Sequence, residues 1–189
     1  MAVPESLYSR SVRRVARDIG KILVGLALGS GAALGLVHIG VLKVFEREKI
    51  PVDFIAGTSI GAVVAAFWVT GIEAEELEKI ALRFKRKDLL FSLADFSLMP
   101  LQGFMNGNNI KKFFREHLGK KTFHDTYIPL KIVANTLRSR ENIVFDEGSL
   151  VDALRASCSI PAFIKPVRYG DDFLIDGGTL DPVPIDILV

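Results

Sequence analysis

The chain has 189 residues, 49% of them apolar, with a formal net charge of +2. That length fits one domain with a sizeable core, and that composition excludes intrinsic disorder. The charge is too small to argue for nucleic acid as a partner.

Residues 1–20 read as a basic N-terminal extension: Val12, Val15, Ala16 and Ile19 fall at helical spacing between Arg10, Arg13, Arg14, Arg17 and Lys21. Lys21–Leu28 reads as the first strand and Ala32–Lys49 as the first helix, with a glycine turn between them. A short second strand over 52–56 leads to a second helix over 60–71 ending at Gly71, and Glu73–Lys87 forms a charged amphipathic helix. Residues 88–109 carry ten apolar side chains or more with weak periodicity, and fit either a small core under a loop or an apolar cap. Asn108 is the expected N-cap of a helix over 109–118 that Gly119 ends. Strands are expected at Leu130–Thr136, Asn142–Phe145, Ile164–Tyr169 and Phe173–Ile175, and a short helix at Ser149–Ser157. Alternating strands and helices of this kind indicate α/β with a mostly parallel sheet.

Two uncharged stretches, Ile22–Leu42 and Phe54–Ile72, approach the ~20 residues needed to span a bilayer. Each parses better as a buried strand, a turn and a covering helix. The first apolar run follows a polar, basic stretch without a cleavage pattern, so no signal peptide is expected. The lone Cys158 has no internal disulfide partner, which fits a cytoplasmic protein. The basic clusters, Arg10–Lys21 and Arg83–Lys87, leave two readings open. They are solvated helix faces, or they draw the protein to anionic lipid at the inner membrane surface, at about 1 kcal/mol per basic residue.

Three segments carry chemistry. Gly57-Thr58-Ser59-Ile60-Gly61 is a G-x-S-x-G between an apolar strand and an apolar helix. A serine on such a turn points its hydroxyl away from the sheet, while the flanking Gly57 and Gly61 permit the tight backbone. Gly29-Ser30-Gly31-Ala32-Ala33-Leu34-Gly35 opens the first helix and offers unpaired amides to an anion. It lacks the Gly-Lys-Ser/Thr of a P-loop and, with Leu34 in sixth place, fits a dinucleotide loop poorly. An oxyanion hole built on Ser30, Gly31 and Ala32 is the better use. Asp176-Gly177-Gly178 follows an apolar strand and supplies an acid loop. No histidine follows Asp176, as a Ser-Asp-His hydrolase of the usual order requires. His38, His117 and His124 read as structural or surface residues, so Asp176 is the candidate general base for Ser59. No cysteine–histidine spacing suggests a metal, and no cofactor is expected.

With these segments in order, the chain resembles the patatin-like phospholipases. The likeness is strongest to short bacterial members related to the catalytic region of neuropathy target esterase. It covers residues 22–188 and also rests on Gly35–Leu42 and on Arg155-Ala156-Ser157-Cys158-Ser159-Ile160-Pro161. It implies a three-layer α/β/α fold with a mostly parallel central sheet, and a serine–aspartate acyl hydrolase acting on phospholipid, lysophospholipid or other lipid esters. Ser59 would be the nucleophile and Asp176 the base. The sequence departs from the family pattern twice. Leu34 stands where a basic residue is usual, and the chain stops at Val189 where members usually continue, as a C-terminally truncated member would. These departures and the basic N-terminus motivate the alternative of a membrane-associated scaffold or regulatory protein that kept the fold and lost turnover.

Overall fold

Ten consecutive uncharged residues, Phe54–Val63, pass from a strand buried on both faces directly into a helix, and the rest of the molecule is arranged around that passage. In the computed structural model, which describes residues 7–83 and 105–188, the elements follow in this order. They are α1 (Leu7–Ile19), β1 (Gly25–Leu28), a 3-10 turn (Ala32–Leu36), α2 (Val37–Arg47), β2 (Phe54–Thr58), α3 (Ile60–Val69), α4 (Ala74–Arg83), α5 (Asn108–Leu118), β3 (Leu130–Thr136), β4 (Asn142–Phe145), α6 (Leu150–Ser157), β5 (Val167–Tyr169) and β6 (Asp172–Asp176). Lys85–Lys87 and most of the expected cap over 88–109 lie outside the described residues.

The six strands form one mixed sheet. β1, β2 and β3 are parallel, while β4 and β6 run antiparallel to β3, and β5 antiparallel to β6. Most strands therefore point one way, as expected. The antiparallel β6 nevertheless decides the geometry of the site. Register places Thr58 opposite Val133 and Asp176 opposite Ala134. β4 occupies the other edge of β3 at both positions, pairing with Val133 through Val144 and with Ala134 through Ile143. β2 and β6 thus share one edge of β3 and approach each other head to head.

The core lies between the sheet and its helices. α3 contributes Ala62, Val64, Ala65, Phe67 and Val69, α6 contributes Leu150, Val151, Ala153 and Leu154, and β2 and β3 contribute Ile55, Leu130 and Ile132. α3 is apolar throughout because it is enclosed by β1, β2, β3, α4 and α6.

Several boundaries differ from the sequence reading, among them β2, expected over 52–56 and found at Phe54–Thr58. β1 begins at Gly25 because Lys21 takes φ 54°, turning the chain out of α1. The first helix opens as a 3-10 turn, with Gly35 packed so tightly on Ile60 that a side chain there would overlap it. β5 begins at Val167. Gly107 caps α5 at φ 79° rather than Asn108, against the Arg155 guanidinium where only glycine fits.

α1 is tied to the body by charge. The Arg17 guanidinium grips Asp53 with Nε at 2.9–3.0 Å and Nη2 at 2.5 Å, and the Val24 amide donates to the same carboxylate at 2.9 Å. Burial alone would raise the Asp53 pKa, but the Arg17 and Val24 hydrogen bonds and the Arg14 charge outweigh it and hold it below the usual value.

Candidate active site

Ser59 is the last residue before α3 and is held at φ 56°, ψ −125°, a region that non-glycine residues enter only under constraint. The constraint is visible on both sides. A Cβ on Gly61 would overlap the Leu28 and Gly29 carbonyl oxygens, and one on Gly57 would lie 2.6 Å from the Ala62 Cα. Helix and strands are therefore in backbone contact around the turn, and Ser59 has little choice of conformation.

The head-to-head strands bring the second group in. Ser59 Oγ donates to Asp176 Oδ2 at 2.5 Å, and the Gly178 amide donates to Asp176 Oδ1 at 2.8 Å. Ser59 is 5% exposed and Asp176 6%. Burial raises the Asp176 pKa above the usual carboxylate value, and the Ser59 and Gly178 hydrogen bonds offset only part of that. A carboxylate with raised basicity in contact with a serine hydroxyl is suited to accept its proton.

The glycine-rich loop lies alongside. Ser30 Oγ packs on Gly178, and a Cβ on Gly177 would overlap the Val133 carbonyl oxygen, so the acid loop is wedged between β3 and the glycine-rich turn. Ala32 sits at φ 46°. Among the described residues the Gly31 and Ala32 amides have no acceptor, while the Ser30 amide donates to the Pro182 carbonyl at 2.8 Å. This corrects the sequence reading at Ser30: its N–H is consumed by the C-terminal segment, and it contributes a side-chain contact instead of a free donor.

The histidines fall where the sequence places them. His38 Nε2–H donates to the Gly29 carbonyl at 2.9 Å and so anchors the glycine-rich loop. The His117 ring stacks on Phe67 at 5.3 Å, and His124 is exposed. Ser157 and Ser159 escaped assignment from sequence. The Ser59 amide donates to Ser157 Oγ at 2.9 Å, and the Asp176 amide donates to the Ser159 carbonyl at 2.9 Å. The signal available was two small polar residues, Ser157 at the end of α6 and Ser159 just beyond it.

The family model of the patatin-like phospholipases matches residues 26–189. The chain belongs to that family. Among curated proteins it is 29% identical to neuropathy target esterase sws of Drosophila melanogaster over 178 residues, which are 93% of this chain and 12% of that protein. It is 28% identical to lysophospholipase NTE1 of Debaryomyces hansenii over 173 residues, 91% of this chain and 11% of that one. The chain thus spans about an eighth of the length of these relatives. Among solved structures it resembles VipD from Legionella pneumophila, with a TM-score of 0.54 and 14% identity, covering 84% of this chain and 46% of VipD. That likeness carries the fold, the three-layer α/β/α architecture of this patatin-like family.

Proposed function

We propose that this patatin-like chain hydrolyses carboxylic esters of phospholipids, lysophospholipids or related lipids through a Ser59–Asp176 dyad. The observation that carries the reading is the 2.5 Å hydrogen bond from Ser59 Oγ to Asp176 Oδ2 on a strained turn, in a chain of this family. Ser59 Oγ attacks the ester carbonyl while its proton passes to Asp176 Oδ2. The Gly31 and Ala32 amides receive the oxyanion, a contribution of about 3–4 kcal/mol per donor in comparable sites. Collapse of the tetrahedral adduct breaks the C–O bond, and Asp176 returns the proton to the departing alcohol. Water, deprotonated by Asp176, then cleaves the acyl-enzyme and releases the fatty acid.

A lipid substrate is supported by the names of the curated relatives, an esterase and a lysophospholipase. It is also supported by the exposure of Leu34, 80%, and Val37, 68%, next to the candidate oxyanion donors. Leu34 gives an acyl chain an apolar neighbour where a basic residue would favour phosphate. Peripheral association with a membrane surface belongs to the same proposal, and the fold constrains its geometry. α1 attaches at Asp53, before β2, whereas Ser59 follows β2, so the two lie about 20 Å apart along the strand. A bilayer held by α1 alone would face the end of the sheet away from Ser59. The Leu34–Val37 face is the one that meets lipid during turnover.

Intact-mass analysis after reaction with a fluorophosphonate tests the proposal. One adduct on the wild-type chain and none on Ser59→Ala is the expected result. A folded wild-type protein that takes no adduct would overturn it and leave a scaffold of the same fold.

A further inference from the structure

In a parallel ladder, amides of alternate residues on one strand donate to carbonyls of alternate residues on the next. Here the Ile55 amide donates to the Pro129 carbonyl at 3.0 Å. Register advances in step along both strands, with Gly57 opposite Ile132 and Thr58 opposite Val133. Four residues on from each partner, the bond due is Ser59 N–H to the Val133 carbonyl. That bond is not made. The Ser59 amide donates to Ser157 Oγ at 2.9 Å, and Ser157 Oγ–H donates to the Val133 carbonyl at 2.6 Å. The hydroxyl of Ser157 is inserted into the last rung of the ladder.

We infer that Ser157 is a positioning residue for the nucleophile. Its hydroxyl satisfies both halves of the opened rung, so β2 separates from β3 at Ser59 without leaving a buried amide or carbonyl unpaired. The separation lets the chain turn at φ 56° and sends Oγ toward Asp176 rather than along the sheet. Ser157 is fully buried, so no bulk solvent substitutes for its hydroxyl. The same turn sets the other half of the dyad, because the Ser159 carbonyl accepts the Asp176 amide. The turn itself is fixed by Arg155, whose Nη1 donates to Ser159 Oγ at 2.6 Å and whose Nη2 donates to the Asn106 and Lys165 carbonyls at 2.8 Å. The last turn of α6 and the residues that follow it thereby set the backbone of Ser59 and of Asp176 together.

The inference rests on the Ser59 nucleophile proposed above and makes a demand that an ordinary packing residue does not. Without the hydroxyl, the Ser59 amide is free to close directly on the Val133 carbonyl. The fold is then kept and the nucleophile is misdirected. Misplacement of a reacting group by an ångström typically costs about 100-fold in rate.

The test compares the fluorophosphonate labelling rate of Ser59 and the thermal midpoint in wild type, Ser157→Ala and Ser157→Thr. Ser157→Ala is expected to label about 30- to 100-fold more slowly with its midpoint within a few degrees of wild type, and Ser157→Thr, which keeps the hydroxyl, to recover most of the rate. Labelling of a folded Ser157→Ala within about threefold of wild type would overturn the inference, as would a rate loss that only follows a loss of folded protein. Amide hydrogen exchange on the wild-type chain supplies a readout that needs no variant to fold. The Ser59 amide is expected to be strongly protected, and exchange at the rate of a free amide would equally overturn the inference. A wild type that is not labelled at all would count against the hydrolase proposal, while exchange at the Ser59 amide would still test whether that amide is bonded.

Discussion

Replacing Asp176 by asparagine separates catalysis from stability in opposite directions. Asp176 Oδ1 accepts the Gly178 amide at 2.8 Å, and an asparagine oxygen in that place keeps this bond. The asparagine nitrogen then faces Ser59 Oγ, where Oδ2 stood at 2.5 Å. An amide nitrogen donates and does not accept, so the serine hydroxyl becomes the acceptor and its proton has no destination. General-base catalysis is worth about 10²–10⁴ in rate, and here the loss comes with a hydroxyl turned the wrong way. Turnover is expected to fall about 10³–10⁴-fold, or ~4–5.5 kcal/mol at 1.36 kcal/mol per decade. Stability moves the other way. Burial raises the Asp176 pKa in the fold. Its favourable contribution is thus fully present below the unfolded pKa, with the acid protonated, and is lost as pH rises through the folded value. At pH 7 the neutral asparagine removes the cost of a buried charge, and the thermal midpoint is expected to hold or rise. The assay is hydrolysis of a short-chain soluble ester, with thermal melts of both proteins at pH 7. Near-wild-type turnover would refute the role of Asp176. His38 would be no ready replacement, since its Nε2–H is already committed to Gly29. A midpoint lowered by several degrees would refute the account of its burial.

Two further outcomes follow from charge. Asp176 must be ionised to take the Ser59 proton, so the acid limb of the pH–rate profile is expected above the ordinary aspartate value of 3.8. A limb at or below that value on a soluble ester would contradict the burial argument. Arg17→Ala leaves Asp53, 1% exposed, without its guanidinium. Breaking a buried pair costs about 3–5 kcal/mol, and the partial exposure of Arg17 puts this one near the lower end. Because the Asp53 pKa is lowered in the fold, the stabilisation is present above the unfolded pKa and disappears as pH falls through the folded one. Thermal melts should show a large gap from wild type at pH 7 that narrows toward pH 3, and equal midpoints at pH 7 would refute the pairing.

Local signals in the sequence locate the Ser59 turn and the Asp176 loop well and their assembly less well. The Ser59 turn is legible because glycines flank it where backbone meets backbone, and because the apolar run changes period across it. Asp176 is legible as an acid at the end of an apolar strand before two glycines. What hydrophobic pattern does not carry is strand direction, since Leu174 and Ile175 are equally buried in a strand running either way. Gly107 at the start of α5 was hidden for a related reason. The bulk that excludes a side chain there belongs to Arg155, 48 positions later in the chain. The Ser30 amide likewise meets an acceptor, Pro182, from the far end of the sequence. Such contacts are tertiary, and no window of local sequence contains both partners.

The direction of β6 and the direct contact between Ser59 and Asp176 are one structural fact. Had β6 run parallel to β3 on the edge that β4 occupies, its carboxyl end would have stood two strand spacings from the end of β2, about 10 Å away. A serine and an aspartate do not touch across that gap, and a third group such as an imidazole would have to bridge it. Running antiparallel on the same edge as β2, β6 ends where β2 ends, with Asp176 opposite Ala134 and Thr58 opposite its neighbour Val133. The side chains then meet directly, without a histidine. The arrangement has a cost: two strands that stop head to head leave an opened rung at Val133, and a buried carbonyl and amide there must be satisfied by something other than the ladder. Ser157 Oγ meets both. The direct contact of Ser59 Oγ with Asp176, the antiparallel strand and the buried serine at the end of α6 thus belong to the same head-to-head junction.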